Sequence, residues 1–337
     1  MIRKGIGSGK LILFGEHSAV YGFPAIGTSL PFQTKLYWIP SQTTSIERDK
    51  NKDDQPCVAV GTPNEIGEDR AGFLKLLKKL QSEIAGPDDF GNGTWREING
   101  VPRTGGFGSS AALCVAISRI ALNRAAQIYD VQVHSLANRL ETLFHGKTSG
   151  IDTGMACDNG ASAWFSSLQG PPKRRIIRIP KWHIIYGAVP RNRSTESSIR
   201  QLEHKTEKTH FMSSMRKLGR IAVDFLSIME GNSPEVFANA ASKLVNHAQE
   251  ILATLNLSNP ILDKIFELAI RCGANGGKLS GGGSGGAFFI CAKNKKTRNE
   301  VLTNLPRYLT EENIHLSFPL KALDFNNHSH GARHPSV

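Results

Sequence analysis

The sequence predicts an α+β fold that is divided into two domains. In the first half, strand-like stretches at 10–14 and 25–38, rich in β-branched and aromatic residues, are followed by amphipathic helical patterns. The second half starts again with a strand-like stretch at 182–189 and continues into further helical patterns. A chain of 337 residues with 39% hydrophobic side chains is long enough to bury two separate cores.

A proline pair marks the boundary between the two halves. Pro171-Pro172 is followed by a run of three basic residues, and both features are typical of an exposed connection. We therefore predict an N-terminal domain over 1–175, a C-terminal domain over 176–325 and a disordered tail over 326–337.

The individual elements follow from hydrophobic periodicity and from turn residues. Apolar side chains at helical spacing predict helices, and short runs of β-branched or aromatic residues predict strands. In the first domain these patterns predict helices over 71–85, 109–127 and 131–145, a strand over 162–165, and loops over 42–56 and 150–159. In the second domain they predict strands over 182–189 and 287–292 and helices over 196–229, 234–255 and 260–272.

Charge and composition narrow the class of partner. The net charge is +12, but the basic side chains are spread along the chain and are not interleaved with aromatic ones. We therefore expect no nucleic-acid partner. A general positive field equally attracts small anions such as ATP or a carboxylate substrate.

The expected cellular location rests on the absence of three sequence features: a membrane-spanning segment, a secretory segment and a spaced set of cysteines. The longest apolar stretch, 111–126, is interrupted by polar and basic residues and is too short to span a bilayer. The first residues lead directly into a strand without an apolar secretory segment, and the five cysteines show neither metal-ligand nor disulfide spacing. We expect a cytoplasmic protein without a membrane partner.

Three glycine-rich segments predict a phosphate site. They are Lys10–His17, Pro102–Ala112 and Lys278–Gly286. Glycines let a charged ligand approach the backbone, and the unpaired N–H groups of a helix N-terminus bind phosphate. The second segment leads into the helix predicted over 109–127, so it offers both features. A serine-capped helix after a glycine turn is the structural alternative for this segment.

Two other phosphate-binding motifs do not fit. A dinucleotide fingerprint at Gly106-x-Gly108-x-x-Ala111 fails because 96–104 is not a buried parallel strand and Asp130 directly follows the helix. A P-loop at Gly9-Lys10 fails because leucine, not serine or threonine, comes next.

Taken together, the three segments resemble the motifs of the GHMP small-molecule kinases. The second follows that family's P-x-x-x-G-x-G-S-S-A-A pattern, with Phe107 in the place of a common leucine. The third differs from K-L-T-G-A-G-G-G-G only by exchanges of small residues, and the order and spacing extend the resemblance over residues 1–292. The resemblance implies the two-domain GHMP kinase fold, with an N-terminal domain like ribosomal protein S5 domain 2 and an α+β C-terminal domain.

A fourth segment resembles the mevalonate kinases within that family. His145-Gly146-x-x-Ser149-Gly150-Ile151-Asp152 follows their H-G-x-P-S-G-(V/I)-D run, with Thr148 in place of the proline. The resemblance implies that Asp152 is the catalytic carboxylate and that Lys10 lies beside it and the γ-phosphate. It also implies that Glu141, eleven residues before Asp152, binds Mg²⁺ together with Ser110. By itself, Glu141 fits a solvated helix residue equally well.

The resemblance also implies the residues that hold the two substrates. Those expected around the ATP phosphates are Pro102, Gly105, Gly106, Gly108, Ser109, Ser110, Ala111, Gly281, Gly282 and Gly283. Those expected around a small acid alcohol are Glu16, His17, Ser149, Arg193 and Thr195. Residues 189–196 resemble a V-P-R-S-T stretch of the mevalonate kinases, which aligns at either Pro190 or Arg193-Ser194-Thr195. A basic loop that caps the following helix is the alternative for this stretch.

The resemblance implies an ATP- and Mg²⁺-dependent phosphotransferase that acts on the 5-hydroxyl of mevalonate in isoprenoid precursor synthesis. The alternatives are a related kinase for phosphomevalonate, a sugar or a heptose phosphate, and a catalytically silent homologue that binds a ligand. A silent binder has no need of Lys10, Glu141 and Asp152 together. A homodimer is left open.

Overall fold

The structure is a computed structural model in which the chain divides into two compact units. The first comprises Met1–Lys10, Ser29–Val101 and Gly108–Asn159, and the second Leu11–Thr28, Pro102–Phe107 and Gly160–Val337. The residues that the structure describes are 1–40, 58–60, 76, 79–80, 82–83, 93–103, 105–125, 128–146, 148–165, 172–191 and 208–325. The predicted loop over 42–56 and the predicted tail over 326–337 lie outside them.

Two strands, β1 (Arg3–Phe14) and β2 (Ala25–Pro40), contribute residues to both units. Neither unit is therefore one continuous stretch of chain, and the division at residues 175 and 176 stays a prediction. Among the described residues, no helix combines the length and the apolarity that a bilayer crossing requires.

The first unit packs helices against antiparallel strands. Strand β4 (Gly93–Asn99) pairs with β3 (Val58–Val60) on one side and with β2 on the other, and its Trp95 is fully buried. The helices are α1 (Ser109–Ala121), α2 (Val131–His145) and α3 (Ile151–Cys157). Helix α1 is buried nearly all round, because alanines, valine, isoleucines and Cys114 face both α2 and the sheet side.

Backbone contact joins β1 to α1 in this unit. A Cβ atom on Gly5 would overlap the carbonyl oxygen of Ala116, and one on Gly7 would overlap the carbonyl oxygen of Ala112. No side chain fits between this strand and this helix at these positions. The first residues of β1 are thus held at a fixed distance from α1.

The second unit is built around a four-stranded antiparallel sheet. Its strands, in spatial order, are β10 (Phe318–Asp324), β7 (His183–Val189), β9 (Gly286–Ala292) and β8 (Gly276–Leu279). Its helices are α4 (Lys208–Ile228), α5 (Pro234–Thr254), α6 (Pro260–Arg271) and α7 (Lys295–Glu311). Two further strands, β5 (Ala161–Phe165) and β6 (Lys173–Ile176), pair with each other, and β5 also pairs with the first residues of β2.

The core of the second unit is rich in aromatic rings. Trp182 is almost fully buried and contacts the rings of Phe225, Phe237 and Phe289 at centroid distances of 5.6, 5.9 and 6.2 Å. Phe225 also lies 4.6 Å from the ring of Phe14 at the end of β1. These contacts connect β1, the sheet and two helices within one unit.

Most of the predicted elements are confirmed within a few residues. Helix α2 has the predicted bounds, and α5, α6, β5, β7 and β9 differ from the predicted bounds by one residue at an end. Helix α1 ends earlier than predicted, at Ala121. The described residues of the helix predicted over 71–85 are helical, with Leu76 and Leu80 fully buried. The part of the helix predicted over 196–229 that precedes residue 208 lies outside the described residues.

The loop predicted over 150–159 is wrong, because residues 151–157 form helix α3. Its seven residues are too few to show a helical period, and glycines flank and interrupt them. Helix α7 and strands β6, β8 and β10 were also not predicted. Helix α7 is polar and contains Pro306, so its buried stripe of Val301, Leu305 and Leu309 is easily missed.

Replacing Gly7 by alanine is expected to destabilise the first unit. The added methyl group forces β1 away from α1, and overpacking of this kind typically costs about 1–3 kcal/mol. Urea unfolding followed by circular dichroism measures the loss. Ser8→Ala is the matched control, because its side chain points to the other strand face. Equal midpoints for Gly7→Ala and Ser8→Ala would contradict the close contact.

Candidate active site

Four polar side chains meet in the first unit and form what we call the carboxylate cluster: Lys10, Ser110, Glu141 and Asp152. Lys10 Nζ lies 3.0 Å from Asp152 Oδ1. Ser110 Oγ donates to Glu141 Oε1 over 3.4 Å. The structure therefore brings together the four residues predicted to be catalytic or to bind Mg²⁺, from positions as far apart in sequence as 10 and 152.

Each member of the carboxylate cluster is carried by a different element. Lys10 lies on β1, Ser110 in the first turn of α1, Glu141 near the end of α2, and Asp152 in the first turn of α3. Lys10 and Glu141 are almost fully buried, whereas the side chain of Asp152 is 40% exposed. Asp152 and the half-buried Ser110 are thus the members of the cluster that a ligand in solvent can reach.

The environment of Glu141 is unfavourable for a charged carboxylate. Burial, and next the negative charge of Asp152, raise the pKa of Glu141 from 4.5 to about 8, while Lys10 and the hydroxyl of Ser110 oppose the shift. Without a further cation, Glu141 is therefore mainly protonated at neutral pH. Such a perturbed carboxyl beside a second carboxylate is typical of a functional site.

The donor set of the carboxylate cluster fits a hard divalent cation. Two carboxylates and one hydroxyl supply oxygen ligands only, and Mg²⁺ is commonly held by one or two carboxylates together with substrate phosphates. A bound cation would also oppose the raised pKa of Glu141, by stabilising its ionised form. Within the described ranges, no group of three or more His, Cys, Asp or Glu side chains forms a metal site on its own.

The N-terminus of α1 is open to an anion. Its N-cap is Gly108, in the left-handed region with φ 79°, and no side chain caps the helix. The alternative of a serine-capped helix is therefore wrong, and Ser109 and Ser110 lie inside the first turn instead. The carbon atoms of Lys10 lie about 3 Å from the position of a Cβ on Gly108, so this glycine also leaves room for Lys10.

The second unit contains a buried ion pair between the third glycine-rich segment and the first. Lys278 Nζ contacts Glu16 Oε1, and the two side chains are 0% and 3% exposed. Lys278 also donates to the carbonyl of Leu279 over 2.7 Å and lies over the ring of Phe289. Burial lowers the pKa of Lys278, and Glu16 opposes the shift. No role was predicted for Lys278. Its position as the first residue of the third glycine-rich segment, where the family pattern has lysine, could have indicated one.

His17 follows Glu16 in an unusual backbone conformation. Its φ of 62° is rare for a residue with a side chain, and its Nε2 atom is buried without a hydrogen-bond partner among the described residues. Burial, and next the charge of Lys278, lower the pKa of His17 to about 4, so the ring is neutral at pH 7. Strained backbone and an unpaired buried nitrogen are both compatible with the predicted substrate contact.

The third glycine-rich segment forms a turn in which neighbouring backbone and backbone conformation require glycine. Ser280 Oγ donates to the carbonyl of Ile12 over 2.8 Å and accepts from the N–H of the same residue, so the turn is attached to β1. A Cβ on Gly283 would come within 2.6 Å of the Leu257 carbonyl oxygen. Gly281 has a φ of 86°, which few other residues adopt. Close packing thus explains Gly283, and conformation explains Gly281.

The remaining predicted ligands are placed as follows. Pro102, Gly105 and Gly106 belong to the second unit, and Ser149 is exposed just before α3. Arg193 and Thr195 lie outside the described residues. Arg191, which sequence analysis did not select, has its guanidinium about 3.2 Å from where a Cβ of Gly106 or of Gly286 would lie. The alternative alignment at Pro190 matches Arg191 to the arginine of the V-P-R-S-T stretch and could have indicated this residue.

Comparison with known proteins yields two family models that match the chain. The model described as the GHMP kinases N terminal domain matches residues 73–160, and the model described as GHMP kinases C terminal matches residues 237–311. The first range contains Ser110, Glu141 and Asp152, and the second contains Lys278 and the glycine turn. Lys10 precedes both.

Whole-chain relatives agree with these models. The mevalonate kinase of Thermococcus onnurineus is 27% identical over 311 residues, which cover 87% of this chain and 90% of the relative. The crystal structure of L. major mevalonate kinase in complex with R-mevalonate aligns with a TM-score of 0.70 at 21% identity, over 95% of this chain and 94% of the other. Streptococcus pneumoniae phosphomevalonate kinase aligns with a TM-score of 0.66 at 14% identity, over 96% of this chain and 100% of the other. The structural matches show the fold, which these kinases share.

Replacing Glu141 by glutamine is expected to stabilise the metal-free protein at alkaline pH. Between pH 4.5 and about 8 the folded state retains a proton on Glu141 that the unfolded chain releases, so stability falls as pH rises through this window. Glu141→Gln removes this loss, which is on the order of 4 kcal/mol at pH 8. Thermal unfolding in EDTA from pH 5 to pH 8 measures it, with the exposed Glu230→Gln as control. A difference from wild type that does not grow with pH would contradict the raised pKa.

Removing one partner of the buried ion pair is expected to be costly, and removing both less so. Lys278→Met leaves the Glu16 carboxylate buried without its cation, which costs roughly 3–5 kcal/mol. The double variant Lys278→Met with Glu16→Leu leaves no charge behind and should recover part of that loss. Denaturant unfolding of the two single variants and the double variant gives the coupling energy. Additive losses would show that the pair is not coupled, and Lys296→Met, at an exposed pair, should change little.

Proposed function

Since this chain belongs to the GHMP kinases, whose N-terminal and C-terminal domains it carries, we propose that it transfers the γ-phosphoryl group of ATP to the 5-hydroxyl of mevalonate. The chain is a phosphotransferase with an alcohol acceptor. The observation that carries the proposal is the pairing of Lys10 with Asp152 beside the buried Glu141. The choice of mevalonate is supported by the names of the relatives that match along most of the chain.

Asp152 is the residue proposed to act on the acceptor alcohol. Its carboxylate is accessible and stands in the first turn of α3, where it can accept a hydrogen bond from a hydroxyl group. As the hydroxyl oxygen forms its bond to the γ-phosphorus, the bond from that phosphorus to the β-γ bridging oxygen breaks and ADP leaves. The hydroxyl proton passes to the Asp152 carboxylate, or Asp152 orients the hydroxyl while the proton moves to solvent.

Lys10 is proposed to serve both the acceptor and the phosphate. Its ammonium group, almost buried on β1, forms an ion pair with the Asp152 carboxylate and supplies positive charge for the oxygens of the transferred group. The N-terminus of α1 supplies backbone N–H groups and the positive end of a helix dipole for the ATP phosphates. Both features act by position, which is the main source of rate in phosphoryl transfer.

Glu141 and Ser110 are the residues that would hold Mg²⁺. When bound, the cation supplies charge neutralisation for the β- and γ-phosphates. Its place in this proposal is supported by the all-oxygen donor set and by the raised pKa of Glu141. The predicted contacts of Glu16, His17, Ser149, Arg193 and Thr195 with the acid alcohol, the homodimer and the cytoplasmic location all stay predictions.

The test is release of ADP from Mg-ATP against a panel of acceptors. The panel is mevalonate, phosphomevalonate, galactose, homoserine and a heptose phosphate. Turnover confined to mevalonate is the expected result. Turnover of another acceptor would move the substrate assignment, and absence of turnover with ATP still bound would favour a silent homologue.

Replacing Asp152 by asparagine is expected to lower kcat by about 10²-fold or more while leaving ATP binding intact, because the amide keeps the shape but neither accepts the proton nor pairs with Lys10. Steady-state kinetics with the accepted substrate measure kcat, and nucleotide titration measures binding. Asp224→Asn, on the exposed face of α4, is the matched control. Turnover of Asp152→Asn close to that of wild type would refute the assigned role.

A further inference from the structure

One face of α2 carries His134 and Asn138 as well as Glu141. His134, Asn138 and Glu141 are spaced four and three residues apart, so they lie on the same side of the helix. His134 is fully buried and Asn138 is half-buried. The first two are not part of the carboxylate cluster, and both bond to the segment 148–150 that leads into α3.

His134 holds the residue at which α3 begins. Its Nε2 atom lies 2.6 Å from the carbonyl oxygen of Gly150, and its Nδ1 atom lies 3.0 Å from the hydroxyl of Tyr129. A carbonyl can only accept, so Nε2 must carry a proton. Burial lowers the pKa of His134, which makes the ring neutral, and Nδ1 then accepts from Tyr129. The hydrogen-bond partners therefore select a single tautomer.

The carbonyl of Gly150 is the point on which the start of α3 depends. It accepts from the backbone N–H of Gly154 over 3.0 Å, from the hydroxyl of Thr153 over 3.2 Å and from His134. The last turn of α3 is held separately, because Arg119 donates to the carbonyl of Cys157 over 3.0 Å, so the bonds to the Gly150 carbonyl are the ones that fix the first turn. Asp152 stands in this first turn, and its position follows that of Gly150.

Asn138 holds the same segment two residues earlier. Thr148 Oγ1 donates to Asn138 Oδ1 over 2.6 Å. Thr148 stands where the matched H-G-x-P-S-G-(V/I)-D pattern has proline, a residue that restricts its own φ and the residue before it. Threonine imposes no such restriction, but its bond to α2 removes conformational freedom by a different route.

We propose that His134 and Asn138 form a clamp on α2 that positions Asp152 relative to Lys10 and Glu141, with the Thr148–Asn138 hydrogen bond doing in this chain what a proline does at that position of the pattern. The proposal rests on the proposed function, because it explains how the acceptor carboxylate is held. Since Glu141 lies on the same helix as the clamp, one rigid element carries one carboxylate and fixes the other. His134 and Asn138 are positioning residues, since they act through the 148–150 segment.

The proline exchange gives the sharpest test. Asn138→Ala removes the 2.6 Å bond of Thr148 to the side chain of α2 and leaves only its 3.4 Å contact with the backbone carbonyl of residue 138. The variant should lower kcat by roughly 10- to 100-fold, because a displacement of about 1 Å in a reacting group costs on that order, while the KM for ATP stays within about twofold. Thr148→Pro in the Asn138→Ala background should restore most of kcat, and Thr148→Pro alone should remain active. Gln132→Ala, on the exposed start of α2, is the control for substitution of this helix.

The outcomes of this test are distinct. An Asn138→Ala protein with unchanged kcat, a fall in kcat that Thr148→Pro does not rescue, or an inactive Thr148→Pro single variant would each overturn the clamp. If wild type turns over none of the acceptors, the proposed function fails. The nitrogen-15 NMR measurement described next needs no substrate and still tests the His134 half of the clamp.

The tautomer of His134 can be measured without any substrate. Nitrogen-15 NMR of histidine-labelled protein should show a neutral ring protonated at Nε2, and Tyr129→Phe should shift the Nδ1 resonance. With substrate, His134→Gln, whose amide can still donate to Gly150, should keep kcat within about threefold of wild type. His134→Leu, which cannot donate, should lose most of kcat when compared with the glutamine variant at a temperature where both are folded. A charged ring, a proton on Nδ1 alone, or equal activity of the glutamine and leucine variants would overturn the assignment.

Discussion

The close contact between β1 and α1 is the constraint on which the first unit depends. Gly5 and Gly7 let the strand lie against the helix backbone at Ala116 and Ala112, and Lys10 then reaches Gly108 at the start of the same helix. Because nothing separates strand from helix, the position of the Lys10 ammonium is coupled to that of the helix N-terminus. The two features proposed to bind phosphate oxygens are thus placed by one packing contact.

The partners of buried charged groups differ between the scaffold and the carboxylate cluster. Lys278 has Glu16 as a partner, and Arg119 donates to the carbonyls of Ile6, Ile128 and Cys157, so each cation has an anionic or carbonyl partner although burial lowers the pKa of both. Glu141 is buried beside a second carboxylate, and its pKa is raised as a result. A buried carboxyl with a raised pKa lowers stability as the pH rises, and such a group is typical of a site that a ligand completes. This supports the view that the carboxylate cluster is functional, whereas Lys278 and Arg119 belong to the scaffold.

Much of the fold could be predicted from the sequence where the physical signal is local. Helix α2 repeats apolar residues every three to four positions and is capped by Asp130, so its bounds were predictable. Helix α3 was missed because seven residues hold too little period, and α7 because a proline and many charges mask its buried stripe. The carboxylate cluster was predictable only through the resemblance of its motifs, since Glu141 by itself looks like an ordinary surface residue of a helix.

The sequence by itself determined the class of chemistry, because the glycine patterns follow from what a backbone needs in order to approach phosphate and the Asp152 run resembles that of the mevalonate kinases. Tertiary structure decided which of the candidate residues share an environment. It made Gly108 rather than a serine the cap of α1, gave Glu16 a buried partner in Lys278, and brought His134 and Asn138 onto the segment that carries Asp152. These relations depend on burial and on distances between residues remote in sequence, and neither is encoded in a local pattern.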